Sequence, residues 1–213
     1  MKNGSIDSLF ATARVSIFNT KEDAGLQNRM KLYGISPERI QEGDNLLTNA
    51  RQLHTHKDAL YFEWLNLSGQ VEKDRESTLA TFIDHVHVAR IAFRKRPEIL
   101  HQLKINRINR RKLWEWTVQA DRFYKLISAH AATMKKFGIT AEELQQARAG
   151  IEALLALKDR RTKKKAEAES ATQKRNVALD ALHAWLVEFR AVARLALKDT
   201  PQMLEAFGMK KPS

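Results

Sequence analysis

Glu98 and His101 stand three residues apart, the spacing at which one helix face presents a carboxylate and an imidazole together. A Glu-x-x-His pair is part of the ligand set of di-iron carboxylate bundles, which need a second such pair on a facing helix. The chain offers no second pair, so His85, Glu98 and His101 are metal candidates on weak grounds, and chance spacing is the plainer reading. His54-x-His56 and His85-x-His87 are pairs two residues apart, and on a helix such residues point in different directions. His85 shares an apolar stripe position with Phe189, as a hydrogen-bonded core histidine would. The chain has no cysteine, which excludes thiolate catalysis, disulfides and Cys-based zinc sites. No glycine-rich phosphate loop, G-x-S-x-G elbow or H-E-x-x-H helix occurs. These absences point away from an enzyme, and no cofactor is predicted.

Cationic residues are more numerous than catalytic ones. "NRINRRK" at 106–112 supplies Arg107, Arg110, Arg111 and Lys112, while "RRTKKK" at 160–165 supplies Arg160, Arg161, Lys163, Lys164 and Lys165; "RKR" at 94–96 is a third cluster. Converging on one face, they would neutralise phosphates and bind nucleic acid in a salt-dependent way. As solvated helix ends they would only keep the molecule soluble, since cations suit helix C-termini. No aromatic residue interleaves with 160–175, which leaves base stacking without a platform there. Tyr61, Phe62, Trp64, Leu65 and Leu67 have the opposite character and cover more than one helical face. They either cover their own unit or dock a partner, because large exposed apolar patches mark contacts.

The elements that must position these groups read as helices. Leu113, Trp116, Ala120, Phe123, Ile127, His130, Met134 and Phe137 alternate in spacings of three and four, one face of a helix. Gly138 is placed to stop it, and Thr140 with Glu143 forms a capping box for the next. That helix carries Leu144, Ala147, Ile151 and Leu154. A third carries Leu179, Leu182, Leu186, Phe189, Ala193 and Ala196, and Pro201 opens a short last one. In the first half, Gly34 stops a helix that "NTKEDAG" (19–25) interrupts, and Ser36-Pro37 opens the next. No sustained period-two alternation marks a strand.

The two halves also share text. "VARIAFRKRPEILHQLKI" from Val88 matches "VARLALKDTPQMLEAFGM" from Val192, and "MKLYGISPERIQ" from Met30 matches "MKKFGITAEELQ" from Met134. Both matches sit at one offset of 104 residues with no gap, which predicts a tandem duplication. The expected fold is all-α: two units, 1–105 and 106–213, each of three long helices plus one short helix, forming one or two helical bundles. Glu38 and Glu142, like Arg90 and Arg194, are charges that both copies retain, as a structural role predicts.

The segment "ALHAWLVEFRAVARLALKDTPQMLEAFGM" (181–209) resembles the C-terminal part of an uncharacterised bacterial all-helical protein family through its "AR-A-…-PQ-LE-…-G" pattern. The resemblance implies a helical fold and a bacterial origin and carries no activity. The chain holds 37 Lys and Arg against 25 Asp and Glu, a formal charge of +12. Residues 1–104 carry 15 against 13 and residues 105–213 carry 22 against 12, so the second copy is the basic one. The N-terminal segment lacks the apolar core of a secretory signal and no long apolar run spans a membrane, which predicts a cytoplasmic protein. The leading expectation is a non-enzymatic scaffold that contacts copies of itself or another protein, its apolar segment at 61–67 and basic segment at 160–165 serving as unlike tips. The alternative partner is nucleic acid, bound by the basic second half.

Overall fold

The structure, a computed structural model, describes residues 3–209, and among these all regular structure is helical, with no strand. Helix α1 runs Asn3–Glu22, α2 Ala24–Leu32, α3 Pro37–Ala92, α4 Pro97–Leu103, α5 Leu113–Ile127, α6 Ala131–Lys135 and α7 Ala141–Ala196; single 3-10 segments cover Ser128–His130 and Pro201–Phe207. No helix among the described residues is long and apolar enough to cross a membrane.

Local chemistry sets the ends of these helices. The stops at Gly34 (φ 95°) and Gly138 (φ 86°) are left-handed, a conformation that glycine enters without a Cβ clash. After each, the next amide returns to an earlier carbonyl, Ile35 to Met30 at 3.0 Å and Ile139 to Met134 at 3.2 Å. The capping box opens α7: the Thr140 amide donates to Glu143 Oε2 at 2.7 Å, and the Glu143 amide to Thr140 Oγ1 at 3.2 Å. Ser36 and Pro37 open α3. Between α1 and α2, Asp23 interrupts the helix and caps the next one, accepting from the Leu26 amide at 3.0 Å.

Two expectations need correction. The helices expected separately around Leu144–Leu154 and Leu179–Ala196 are one helix of 56 residues, α7, and α3 has the same length. The sparsely apolar stretch between them, from Lys158 to Arg175, is rich in Lys, Arg, Glu and Ala and holds no Gly or Pro. Strong helix formers keep winding where the core stripe lapses. The stripe from Leu113 to Phe137 is not one helix either. It breaks at Ser128, whose hydroxyl donates to the Lys125 carbonyl at 2.8 Å, and Phe137 lies beyond the break, exposed.

The chain packs as two units, one comprising residues up to Tyr61 with those from Ala166 onward, the other Phe62–Lys165. Each unit draws on both sequence halves, because α3 and α7 run on instead of turning back. The first unit buries Phe10, Ile17, Met30, Leu47, Leu182, Phe189 and Phe207. The second buries Phe82, Phe93, Trp116, Phe123, Ile127, Leu144 and Ile151. Burying one such side chain is worth about 1.5–3 kcal/mol, which makes the α5 stripe in the second unit a rigid support for the segment before it.

Candidate nucleic-acid interface

That segment, between α4 and α5, is where cations gather. Helix α4 ends at Lys104, which adopts the left-handed conformation (φ 51°, ψ 43°), and the chain then runs as a loop to Lys112. Ile105 is buried and anchors it. The loop's carbonyls are taken up by the protein. Gln119 Nε2 donates to the carbonyls of Lys104 at 2.7 Å and Arg107 at 3.0 Å. Arg75 donates to the Arg110 carbonyl at 3.3 Å, and the Arg90 guanidinium to the Ile105 carbonyl. Asn109 accepts from the Arg111 amide at 3.2 Å and donates to Glu115 at 2.5 Å. With its backbone tied down, the loop turns Arg107, Arg110 and Arg111 to solvent.

Loop and helix enclose a groove of about 910 Å³ whose walls include Lys104, Arg107, Arg110, Arg111, Val118, Gln119 and Arg122. Its carboxylate, Glu115, is engaged by Lys112 Nζ at 2.7 Å and by Asn109. The Lys112 and Asn109 bonds hold the Glu115 carboxyl below its usual range, and the Glu115 bond in turn raises Lys112. The five cations Lys104, Arg107, Arg110, Arg111 and Arg122 have no ion-pair partner among the described residues. A recess lined by unneutralised guanidinium groups, with hydrogen-bond donors on a fixed backbone, suits a chain of phosphates.

The other sequence candidates are placed differently. Arg160, Arg161, Lys163, Lys164 and Lys165 lie within α7 and wrap around it; none lines the groove, and Lys164 pairs with Glu63 at 2.9 Å. Tyr61, Phe62, Trp64, Leu65 and Leu67 lie within α3, with Tyr61, Phe62 and Leu65 exposed and Trp64 and Leu67 half-buried. Neither segment is a helix end, so the unlike tips inferred from the sequence are mid-helix segments, and Glu63 of one pairs with Lys164 of the other. His85 is buried, with Nδ1 at 3.1 Å from the Tyr124 hydroxyl. Desolvation lowers the His85 pKa and raises that of Tyr124. Glu98 pairs with Arg96 at 3.3 Å and His101 is exposed on α4. Among the described residues no three His, Cys, Asp or Glu side chains are grouped to hold a metal ion.

Sequence reasoning found the loop arginines and missed Lys104, Gln119 and Arg122. These join the site through loop-to-helix proximity, which no cluster in the text announces. The one signal for Lys104 is its register, since 104 residues on the left-handed position holds Gly208 (φ 66°). Compared with models of known families, with curated proteins and with solved structures, the chain matches none.

Proposed function

We propose that the protein is a non-enzymatic nucleic-acid-binding protein that holds the phosphate backbone in the groove formed by residues 104–112 and α5. The observation that carries this is the set of five cations around one recess that have no ion-pair partner among the described residues, with the carboxylate in the groove wall, Glu115, already neutralised. Five phosphate contacts at about 0.7–0.9 each give log K against log salt a slope of roughly −3.5 to −4.5. Fluorescence anisotropy of labelled oligonucleotides across a salt series measures it. Changing Arg107, Arg110 and Arg111 to Glu removes binding, whereas Arg160, Lys163 and Lys165 to Glu, an equal change in net charge, leaves most of it. Equal losses from the two triple variants would refute a localised site in favour of diffuse attraction to a basic protein.

The chain is further read as a tandem duplication of a unit of about 104 residues. Supporting this, Pro37 and Ala141 open α3 and α7 at that offset, Ala92 and Ala196 close them, and Pro97 and Pro201 open the short helices that follow. A second reading, contact with another copy or another protein, draws on the 63% exposure of Phe62 beside exposed Tyr61 and Leu65. Light scattering at high concentration tests it: an oligomer that Phe62→Glu dissolves supports the reading, and a monomer throughout removes it.

A further inference from the structure

The position of one indole narrows the class of nucleic acid. Trp114 is the second residue of α5, two after Lys112, and is 66% exposed, whereas Trp116 and Trp185 are buried and Trp64 is half-buried. The core face of α5 is already filled by Trp116, Ala120, Phe123, Tyr124 and Ile127, so Trp114 has no place in that core. One turn on, Val118 shares its side of the helix, lines the groove and is 53% exposed. The rise of about 1.5 Å per residue puts the two roughly 6 Å apart along the axis. Trp114 stands outside the groove wall, three residues after Arg111 and one turn before Val118, so an exposed aromatic face adjoins the arginine loop, the combination on which unpaired bases stack.

We infer that the groove takes single-stranded nucleic acid, its backbone on Arg107, Arg110 and Arg111 and a base stacked on Trp114; the inference rests on the nucleic-acid reading above. In a duplex the base faces are occupied by neighbouring pairs, so a duplex engages the cations alone. An anionic bilayer would also attract cations and an indole. The recess favours a strand, because eight of its ten lining residues are charged or polar, leaving only Ile108 and Val118 as apolar wall residues.

The test compares a single strand of about 16 nucleotides, as DNA and as RNA, with its blunt duplex and with phosphatidylserine vesicles at the same salt. The intact protein is expected to bind the strand more tightly than the duplex and to lose tryptophan emission on doing so. Trp114→Ala should weaken strand binding about fivefold to 150-fold, the range of one stacked base, with the duplex changed by less than about twofold. Trp114→Tyr should restore most of the loss, because it keeps a stacking ring. If Trp114→Ala affects both nucleic acids equally or neither, the stacking inference falls, while salt-sensitive, arginine-dependent binding keeps the broader reading. If the intact protein binds neither strand nor duplex, both readings fall, and preferential vesicle binding would replace them with a membrane surface.

Discussion

Lys104 offers a substitution that should move stability and binding in opposite directions. Its φ of 51° puts a Cβ where the left-handed region disfavours one, a strain of about 1–2 kcal/mol. Glycine removes that strain but adds about 0.4–1 kcal/mol of freedom to the unfolded chain. The net gain for Lys104→Gly therefore lies between about 0 and 1.6 kcal/mol, centred at about 0.8. In a chain of this size the central value corresponds to a rise in Tm of about 1–4 °C. The backbone bonds at this position, the Lys104 amide to the His101 carbonyl at 3.3 Å and Gln119 to the Lys104 carbonyl, do not need the side chain. The groove loses one of five cations, so the salt slope should become shallower by about 0.7–0.9. The converse change, Gly208→Lys, meets no atom within 4 Å of the new Cβ and should cost about 1 kcal/mol of backbone strain alone. Thermal unfolding and anisotropy on the same samples decide it. A Lys104→Gly protein that melts no higher, or keeps its full salt slope, would refute the idea that strain is borne here to hold a cation at the groove.

Two further outcomes follow from the packing. Gly43 and Gly150 are both helical, yet a Cβ at Gly43 would lie 2.2 Å from the Trp185 ring while Gly150 has nothing within 4 Å. Trp185 is pinned by its Nε1 bond to the Arg39 carbonyl at 3.0 Å and by stacking on Phe189, so Gly43→Ala should cost about 2 kcal/mol or more while Gly150→Ala gains about 1 kcal/mol; denaturant melts showing the same sign for both would contradict this. Burial lowers the pKa of His85, so the unfolded chain takes up its proton first. Stability should therefore fall as pH drops below about 6.5, the unfolded value, toward the lower folded one. His85→Phe, the residue at the corresponding stripe position, should flatten that part of the stability–pH profile, and an unchanged profile would assign the dependence elsewhere.

Much of the helical chemistry was legible because it is local. The stops at Gly34 and Gly138, the Thr140–Glu143 box and the break near Asp23 each depend on residues within a few positions. Helix length was less so: the stretch from Lys158 to Arg175 lacks a core stripe, and a lapse in the stripe reads in the sequence as a lapse in the helix. Only a breaker ends a helix of good formers, and none is there. Which halves pack together was not legible, because an apolar stripe says that a face is buried without saying against what. The groove stands between these cases. Arg107, Arg110 and Arg111 are adjacent in the text, whereas the Gln119 bonds that fix their loop reach back 12 and 15 residues.

Under the duplication proposed above, the 104-residue register would separate what maintains the fold from what was specialised. On α5 the groove is lined by Glu115, Val118, Gln119 and Arg122; the matching positions of α1 are Ala11, Arg14, Val15 and Phe18, which also line a surface groove. Each set holds one arginine, Arg122 and Arg14, and they differ in that α1 exposes Val15 and Phe18 where α5 has Gln119 and Arg122. Trp114 corresponds to Phe10, which is 7% exposed and part of its unit's core. An aromatic ring that serves packing in one helix is therefore released to solvent in the other, beside the arginines. Drift on a merely solvated surface tends to replace an exposed indole with something smaller and polar, since exposed tryptophan adds apolar area without burying it. A basic loop held by its own carbonyls, a lysine in a glycine conformation and an indole turned outward all fall within eleven residues, 104–114. That concentration is why the +10 charge of residues 105–213, counted as 22 against 12, reads as a binding surface here and as ordinary helix surface along α7.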